Sequence, residues 1–443
     1  MSSKTNIQQP VKVGMISLGC AKNLVDAEIM LGTLIRDGVE ITNDATKADV
    51  VVINSCSFID AAQEESVDTI LESAELREAH HRGQALIVSG CMPQRFREEL
   101  PKLMPEIDAF MGIDQVANVT SIVHQAMDHR QARLTAPEPA RSPGKKKVLN
   151  RITELQRSGA QHATESADKL SGAGKANQTK QVVQPAALSD APVLDVHNRP
   201  NYIPDYATPR FRLTPRHFAY LKIAEGCNHP CSFCIIPRMR GSHRSRTQSD
   251  VVAESKALLA DGVKEINLIS QDSTYYGLDL RTDRKGSISA PEKFTAATRA
   301  LPQNATTLST LLKELNGLKG EFWIRLLYTH PAHWTEELID AIAASAKVAR
   351  YIDMPLQHIH DNMLERMRRE TSSQYIIDLI AKIRARIPGI AIKSMMYCEE
   401  VSRRIRSSML SWMCCNGMSM YRATFAEAAI ASSNSSVQCA GCV

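Results

Sequence analysis

The chain has 443 residues, of which 43% are hydrophobic and 23% charged, a composition typical of a globular protein with two or three domains. The amino-terminal stretch "MSSKTNIQQP" lacks the apolar segment of a secretory signal, and no apolar run is long enough to span a bilayer, so we expect a cytoplasmic protein with reduced thiols and no membrane partner. The formal charge of +5 is concentrated in residues 141–184, which hold nine Lys/Arg and three Asp/Glu. The rest of the chain is therefore near neutral, which disfavours a strongly basic nucleic-acid-binding domain.

Residues 11–127 alternate buried-strand patterns with amphipathic segments. "VKVGMISL" predicts a strand, and "NLVDAEIMLGTLIRDG" predicts a helix that ends at Gly38. The segments "ADVVVINS", "QALIVSG" and "DAFMG" repeat the strand pattern with helices between them. This alternation predicts an open α/β domain with a parallel sheet.

Residues 128–212 are rich in Ala, Gln, Ser, Gly, Lys and Pro, which predicts a flexible basic linker. Strands and helices alternate again over residues 213–394, and we expect a partial (β/α) barrel there, with its chemistry at the carboxyl ends of the strands. The predicted strands are "FAYLKIAEG", "EINLISQD", "EFWIRLLYTH" and "YIDMPLQH", and the predicted helices lie near 248–260, 306–318, 334–347 and 373–387. Residues 281–307 are expected to form a loop insertion.

Cys227, Cys231 and Cys234 follow a predicted barrel strand with the spacing C-x-x-x-C-x-x-C. Zinc would require a fourth ligand, and His229 lies between two of the cysteines, where a closed tetrahedron is hard to form. Three thiolates instead suit an iron–sulfur cube with one open iron. A non-catalytic cluster or zinc scaffold remains the alternative.

Three further cysteines, Cys20, Cys56 and Cys91, each follow a predicted strand of the first domain at intervals of 36 and 35 residues. The carboxyl ends of parallel strands meet at one edge of a sheet, so these thiols can converge on a second cluster. Any one of them alone would be read as a small packing residue.

The C-x-x-x-C-x-x-C loop resembles the signature of the radical S-adenosylmethionine (SAM) superfamily. In that family SAM binds the open iron, and its reductive cleavage releases a 5′-deoxyadenosyl radical. Together with "LGCAKNLVDAE", "NSCSFIDAA" and "SGCMPQR", the loop resembles the methylthiotransferases, which attach a methylthio group to an unreactive carbon. The resemblance implies two 4Fe–4S clusters, held by the two cysteine trios, and SAM as cosubstrate.

Two branches of this family differ in substrate. The segments "EGCNHPCSFCIIPRMRG", "ISQDSTYYGLDL" and "YIDMPLQHIHDNMLERMRR" resemble the branch that modifies the β-carbon of an aspartate in the twelfth small-subunit ribosomal protein. The alternatives are the branch that modifies adenosine in tRNA and an inactive fragment. The resemblance implies as partners that ribosomal protein, an electron donor such as flavodoxin or ferredoxin, and a sulfur source.

Polar residues at or near the ends of the predicted barrel strands are the remaining site candidates. The expected catalytic residues are Gln271, Arg325 and Gln357, the expected cofactor-binding residues are Phe233, Asp272, Tyr328 and His358, and His330 lies among them. The resemblance places Phe233 close to the adenine of SAM. Arg238, Arg240, Arg244 and Arg246 are expected to form either a solvated charged loop or a patch for SAM or substrate.

After "IPGIAIKS" the resemblance stops. Residues 395–443 have no strand–helix rhythm, whereas the family continues with a Gly-Pro-Gly-Glu turn and a carboxy-terminal TRAM β-barrel. We expect this tail to come from a shifted reading frame or a gene fragment, with the barrel truncated and the TRAM domain missing. The C-x-x-C pair of Cys439 and Cys442 is expected to be incidental.

Overall fold

The computed structural model of the protein describes residues 10–135, 191–280, 288, 290–302 and 304–395. They form two parallel sheets with helices packed on them, as the alternating pattern predicts. No helix in these ranges combines the length and apolar character needed to cross a membrane.

The first sheet has six strands in the order β2–β1–β3–β4–β5–β6, and every neighbouring pair is parallel. The strands are β1 Lys12–Ser17, β2 Glu40–Thr42, β3 Val50–Ser55, β4 Ala85–Gly90, β5 Ala109–Met111 and β6 Val193–Asp195. The helices are α1 Ala21–Arg36, α2 Asp60–His80, α3 Cys91–Arg95, α4 Leu100–Leu103 and α5 Val119–Thr135, with 3-10 turns at Ala45–Lys47 and Ile113–Asn118. The central strands β3 and β4 are buried at every residue because helices cover both faces of the sheet.

The structure corrects the expected linker at both of its ends. Helix α5 continues to Thr135, and Val193–Asp195 pairs in parallel with Ala109–Met111 as the sixth strand. The sequence of this region does not predict the three-residue strand, because its stability comes from hydrogen-bonding with the open edge of β5 and not from a local apolar pattern. Residues 136–190 of the expected linker lie outside the described residues.

The second sheet has five parallel strands in the order β13–β12–β11–β10–β7, a partial barrel as expected. Its strands are β7 Phe218–Lys222, β10 Glu265–Ile269, β11 Trp323–Leu326, β12 Val348–Asp353 and β13 Ala391–Lys393, and β8 Ala224–Glu225 pairs antiparallel with β9 Arg244–Ser245. The helices are α6 Ile236–Met239, α7 Gln248–Ala260, α8 Pro291–Arg299, α9 Leu308–Asn316, α10 Glu336–Ala344, α11 Asp361–Arg366 and α12 Ser373–Arg386, with 3-10 turns at Ser273–Tyr275, Leu278–Leu280 and Pro331–His333.

Helix α8 corrects the expected loop insertion at 281–307. Pro291 occupies its first turn, where a missing N–H costs nothing, and Phe294 buries its ring beside Tyr275. Of the carboxy-terminal tail, residues 395–443, which is predicted to lie beyond the family resemblance, only Met395 is among the described residues, and residues 396–443 lie outside them.

Helix α1 of the first domain packs against the second sheet, and a buried ion pair fixes the contact. Arg210 donates to Glu28 of α1 at 2.8 and 2.5 Å and to Glu254 of α7 at 2.7 Å. The core around α1 and α5 also reaches Ile269 at the end of β10. The carboxyl ends of both sheets are therefore brought toward one interface, which is where the cysteine loops lie.

Candidate functional site

The structure brings Cys20, Cys56 and Cys91 to the same edge of the first sheet. Cys20 caps the amino terminus of α1, Cys56 follows β3, and Cys91 begins α3 directly after β4. Cys56 and Cys91 are buried, whereas Cys20 is accessible to solvent. One buried side chain, Asn23, ties their loops together.

Asn23 donates its amide N–H groups to the main-chain carbonyls of Leu18 and Ser55 at 3.2 and 2.9 Å, and its Oδ1 lies 3.5 Å from Cys91 Sγ. It therefore contacts the loops of all three cysteines. Because a buried amide without partners is costly, these bonds fix the loops relative to one another.

Gly19 shows how closely two of the cysteine loops approach. Its φ is +88°, and a Cβ at this position would lie 2.7 Å from Cys56 Cβ and 3.0 Å from Cys56 Sγ. Only glycine fits such an approach without displacing a cysteine.

The electrostatics of this trio suit a metal cluster. Burial raises the pKa of the Cys91 thiol to about 12 despite the nearby Arg240, and burial also raises the pKa of Cys56. Protein atoms crowding Cys20 would raise the pKa of its thiol, but Lys22 and Arg240 bring it below its usual value. Without metal, two of the thiols stay protonated; iron would supply the positive charge that a thiolate trio needs.

Cys227, Cys231 and Cys234 lie in the loop that follows β8, and all three are half-buried. Burial and the negative charges of its neighbours raise the pKa of Cys227 far above its usual range, and burial raises that of Cys234 to about 12. Arg369 approaches Cys231 Sγ at 3.8 Å. Cys227 and Cys234 therefore stay protonated without metal, and iron would supply the positive charge that their thiolates need, as in the first trio.

Gly226 makes the turn into this loop, and its replacement is expected to prevent cluster loading there. Its φ is +78°, and a Cβ would lie 2.1 Å from the main-chain oxygen of Ser242. We expect Gly226→Ala to lose about four of the roughly eight irons of a two-cluster protein, measured by iron analysis after anaerobic reconstitution.

Gly262→Ala is the matched control, because Gly262 has a similar φ of +89° but no atom within 4 Å of a Cβ. It separates backbone strain from the clash. Equal iron contents in the two variants would contradict the expected role of the turn.

Asp272, which stays a proposal as a cofactor-binding residue, forms the centre of a buried histidine cluster. Its Oδ2 lies 2.8 Å from His229 Nε2 and 2.7 Å from His333 Nδ1, and its Oδ1 accepts from Thr274. His330 stacks on His229 with ring centroids 3.8 Å apart. Burial opposes ionisation of Asp272, but His333 and His229 outweigh it and hold the pKa of this carboxyl well below its usual range; burial lowers the pKa of His229 to about 4.

Among the described residues, these histidines are the one group of His, Cys, Asp or Glu whose ligand atoms all lie within 4.8 Å of one another, the spacing that a single metal ion requires. His229 and His333 are nevertheless both hydrogen-bonded to Asp272, and His333 Nε2 also lies 3.0 Å from the Ile288 carbonyl. His229 therefore points toward Asp272, and its ring supports the cysteine loop from this cluster.

Gln271 and Gln357, two of the expected catalytic residues, each present a buried amide oxygen that accepts no hydrogen bond within the described residues. Gln271 Nε2 donates a hydrogen bond to Glu225 Oε1 at 2.7 Å. Gln357 also has a φ of 72°, a strained value for a residue with a side chain. Orphaned buried acceptors fit a polar ligand that carries donors, as SAM does through its amino and hydroxyl groups.

Tyr328 and Arg325 take different positions on the second sheet. Tyr328 follows β11 with a φ of 59°, and Lys22 Nζ lies 3.0 Å from the centroid of its ring, so it faces the first cysteine trio. Arg325, the third expected catalytic residue, is paired with Glu265 at 3.0 and 2.9 Å and stacks near Tyr351. Because Glu265 begins β10, these contacts hold Arg325 toward the amino ends of the strands, and the structure does not bring it to the cysteine loops.

Phe233 and His358 are both half-buried. Phe233 lies within the second cysteine loop, and His358 Nδ1 accepts from the main-chain N–H of His360 at 2.9 Å. Both stay proposals as cofactor-binding residues.

The arginines after the second cysteine trio do not form a solvated patch. Arg238 is exposed, but Arg244 is half-buried and Arg240 and Arg246 are buried in ion pairs. The sequence interpretation also missed polar residues that organise the site: Asn23, Asp26, Lys222, Glu225 and Arg369. For some of these residues the sequence offers one signal, a polar residue within a strongly apolar strand or helix, such as Lys222 at the end of "FAYLK".

Comparisons with known proteins agree with this arrangement. Residues 12–112 match the Uncharacterized protein family UPF0004, and residues 221–404 match the radical SAM superfamily. The chain is 48% identical to the ribosomal protein uS12 methylthiotransferase RimO of Opitutus terrae over 387 residues, covering 87% of this chain and 69% of that one. It is 45% identical to RimO of Akkermansia muciniphila, covering 87% and 71%, and 39% identical to RimO of Koribacter versatilis, covering 89% and 70%.

Among solved structures, the apo, selenomethionine-labelled cobalamin-dependent S-adenosylmethionine radical enzyme OxsB aligns with a TM-score of 0.49 at 12% identity, covering 88% of this chain and 49% of that one. That likeness is too weak to add to the assignment. The relatives, in contrast, are similar over both sheets.

Radical SAM enzymes use SAM and a 4Fe–4S cluster, and RimO-type enzymes use two such clusters. The two cysteine trios provide the thiols that this cofactor set requires. The chain thus belongs to the RimO family of radical SAM methylthiotransferases.

Proposed function

We propose that the protein attaches a methylthio group to the β-carbon of an aspartate in the small-subunit ribosomal protein uS12, in the cytoplasm. The observation that carries this proposal is the pair of cysteine trios, which lie on two domains docked through α1. Similarity to relatives named uS12 methylthiotransferase supports the choice of substrate.

In this proposal residues 11–127 form the module of the auxiliary cluster and residues 213–394 form the radical SAM core. Cys20, Cys56 and Cys91 would hold one 4Fe–4S cluster, and Cys227, Cys231 and Cys234 would hold the other, beside the SAM site. When bound, these groups supply radical generation at one site and a sulfur-carrying iron at the other.

The chain's own residues position the reactants and exclude water. Gln271 and Gln357 offer their unpaired amide oxygens to donors of SAM, and Phe233 would pack beside its adenine. Asp272 holds His229 and His333 in place, which keeps the cysteine loop in one conformation. Tyr328 and His358 complete the proposed cofactor set. Arg325 stays a proposal as a catalytic residue, although its pairing with Glu265 holds it away from the cysteine loops.

The charge distribution favours a protein substrate over tRNA. Phosphate contacts dominate nucleic-acid affinity and require accessible Lys and Arg. Arg240 and Arg246, which sequence alone allowed as part of a basic patch, are buried.

A bacterial strain that lacks both its own uS12 methylthiotransferase and its own tRNA methylthiotransferase, complemented with this chain, tests the proposal. We expect uS12 peptides from complemented cells to regain a methylthio mass on aspartate, and tRNA nucleosides to be unchanged, with the Cys227→Ala chain as the inactive control. Appearance of methylthio-adenosine instead would assign the tRNA activity. If neither modification appears although both clusters are loaded, the chain is inactive. The electron donor and sulfur source can be identified by adding reduced flavodoxin or ferredoxin and sulfide to the purified enzyme.

A further inference from the structure

Arg240 belongs to the second cysteine loop by sequence but to the first cysteine trio by contact. It follows α6, shortly after Cys234, and is 1% exposed. Its Nη2 lies 3.6 Å from Cys91 Sγ and donates to Asn23 Oδ1 at 2.6 Å. A guanidinium from the radical SAM core thus touches a ligand residue of the other domain.

Carboxylates from both domains hold this guanidinium in place. Arg240 Nη2 lies 3.1 Å from Asp26 Oδ2 of α1, and Nη1 lies 3.1 Å from Glu225 Oε1. Lys222 pairs with the same two carboxylates at 2.5 and 2.8 Å. The four buried charges therefore balance each other before any charge on Cys91 is counted.

The position of Arg240 beside Cys91 predicts how its charge would affect the reduction of a bound cluster. A buried charge without partners is costly, so the guanidinium stays in this pocket, with Nη2 3.6 Å from the Cys91 sulfur. Hydrogen bonds to cluster sulfurs and nearby positive charge stabilise the reduced, more negative state of an iron–sulfur cluster. Lys22, the other cation near this trio, lies over Tyr328.

We propose that Arg240 is a positioning residue that joins the two cysteine modules and raises the reduction potential of the cluster held by Cys20, Cys56 and Cys91. This rests on the proposed cluster assignment. Through Asn23 and Cys91 the same side chain fixes the distance between the two loops. It couples the electrostatics of the auxiliary cluster to the correct docking of the radical SAM core.

The test uses the full chain with Cys227, Cys231 and Cys234 replaced by alanine, so that the auxiliary cluster is the only one present. We expect Arg240→Met in this background to lower the midpoint potential, measured by redox titration with electron paramagnetic resonance. Arg240→Lys, which keeps the charge on a shorter side chain, should restore part of the shift.

Arg246→Met is the matched control. Arg246 is also buried and is paired with Asp250 and Glu254 of α7 at 2.6 and 2.5 Å. Its other side-chain bond goes to the main-chain carbonyl of Lys222 at 3.0 Å, so its side chain makes no bond to the first cysteine trio. We expect Arg246→Met to destabilise the fold without moving the potential.

Equal potentials in Arg240→Met and the parent, or equal shifts in Arg240→Met and Arg246→Met, would overturn the proposal. If Arg240→Met takes up no iron, the comparison of Arg240→Gln with the parent decides, because glutamine removes the charge but keeps a polar side chain, and an unshifted potential there overturns the proposal as well. A background protein that binds no iron refutes the cluster assignment itself, and with it the proposed function. Iron loading with an unshifted potential refutes only the role of Arg240.

Discussion

Alanine at Cys20, Cys56 and Cys91 together is expected to abolish methylthiolation while leaving SAM cleavage intact. Each trio lies in its own loop set, on strands of a different sheet, so one cluster can be lost while the other still forms. Iron content should fall from about eight to about four per chain. The measurements are iron and sulfide analysis and 5′-deoxyadenosine formation on anaerobically reconstituted protein.

The complementary variant, with alanine at Cys227, Cys231 and Cys234, should also retain about four irons but lose SAM cleavage. Alanine at Cys439 and Cys442 is the control, since that pair is predicted to be incidental. Two results would contradict the two-cluster assignment. One is SAM cleavage by the variant without the second trio. The other is an iron loss in the Cys439 and Cys442 variant as large as that in either trio variant.

The cysteine positions could be predicted because they follow from local rules. Cys56 and Cys91 stand directly after strongly apolar strands, and parallel strands necessarily end on one edge. The loop of Cys227 is a contiguous motif that requires no tertiary information. The conclusion that these thiols converge therefore needs only strand assignment and sheet direction.

The residues between the trios could not be predicted because their roles arise from docking of distant segments. Asn23 and Arg240 are 217 positions apart, and nothing in either local pattern indicates that they meet. The histidine cluster similarly combines three loops around Asp272. Strand β6 and helix α8 were missed for a related reason, since their sequences are weak alone and gain stability from an open sheet edge and from a buried Phe294.

The largest stability effect is expected for Lys222→Met. Lys222 is 2% exposed and pairs with Asp26 and Glu225, so its removal leaves two buried carboxylates with Arg240 as their remaining cation. Breaking a buried ion pair at one partner costs about 3–5 kcal/mol. We expect the free energy of unfolding, measured by urea denaturation, to fall by about that amount.

Lys382→Met is the matched control, because Lys382 and Glu336 form an ion pair in which both side chains are 52% exposed. Its loss should cost about 0–1 kcal/mol. Adding Asp26→Asn to Lys222→Met should recover part of the lost stability, since it removes one of the unpaired charges. If the exposed and the buried lysine variants lose equal stability, the buried network does not hold the domains together.

The pH dependence of unfolding gives the same network a second signature. Burial alone would raise the pKa of Glu225, but Arg240 and Lys222 outweigh it and lower that pKa far below its usual range. A carboxylate with a lowered folded-state pKa contributes stability above its unfolded pKa of about 4.3, and this contribution is lost as the pH falls below that value. Lys222→Met removes one of the two cations that lower the pKa, so we expect its unfolding free energy to fall less steeply than that of the parent below about pH 4. Parallel curves for the two proteins would show that Lys222 does not stabilise the Glu225 carboxylate, and that Arg240 alone balances its charge.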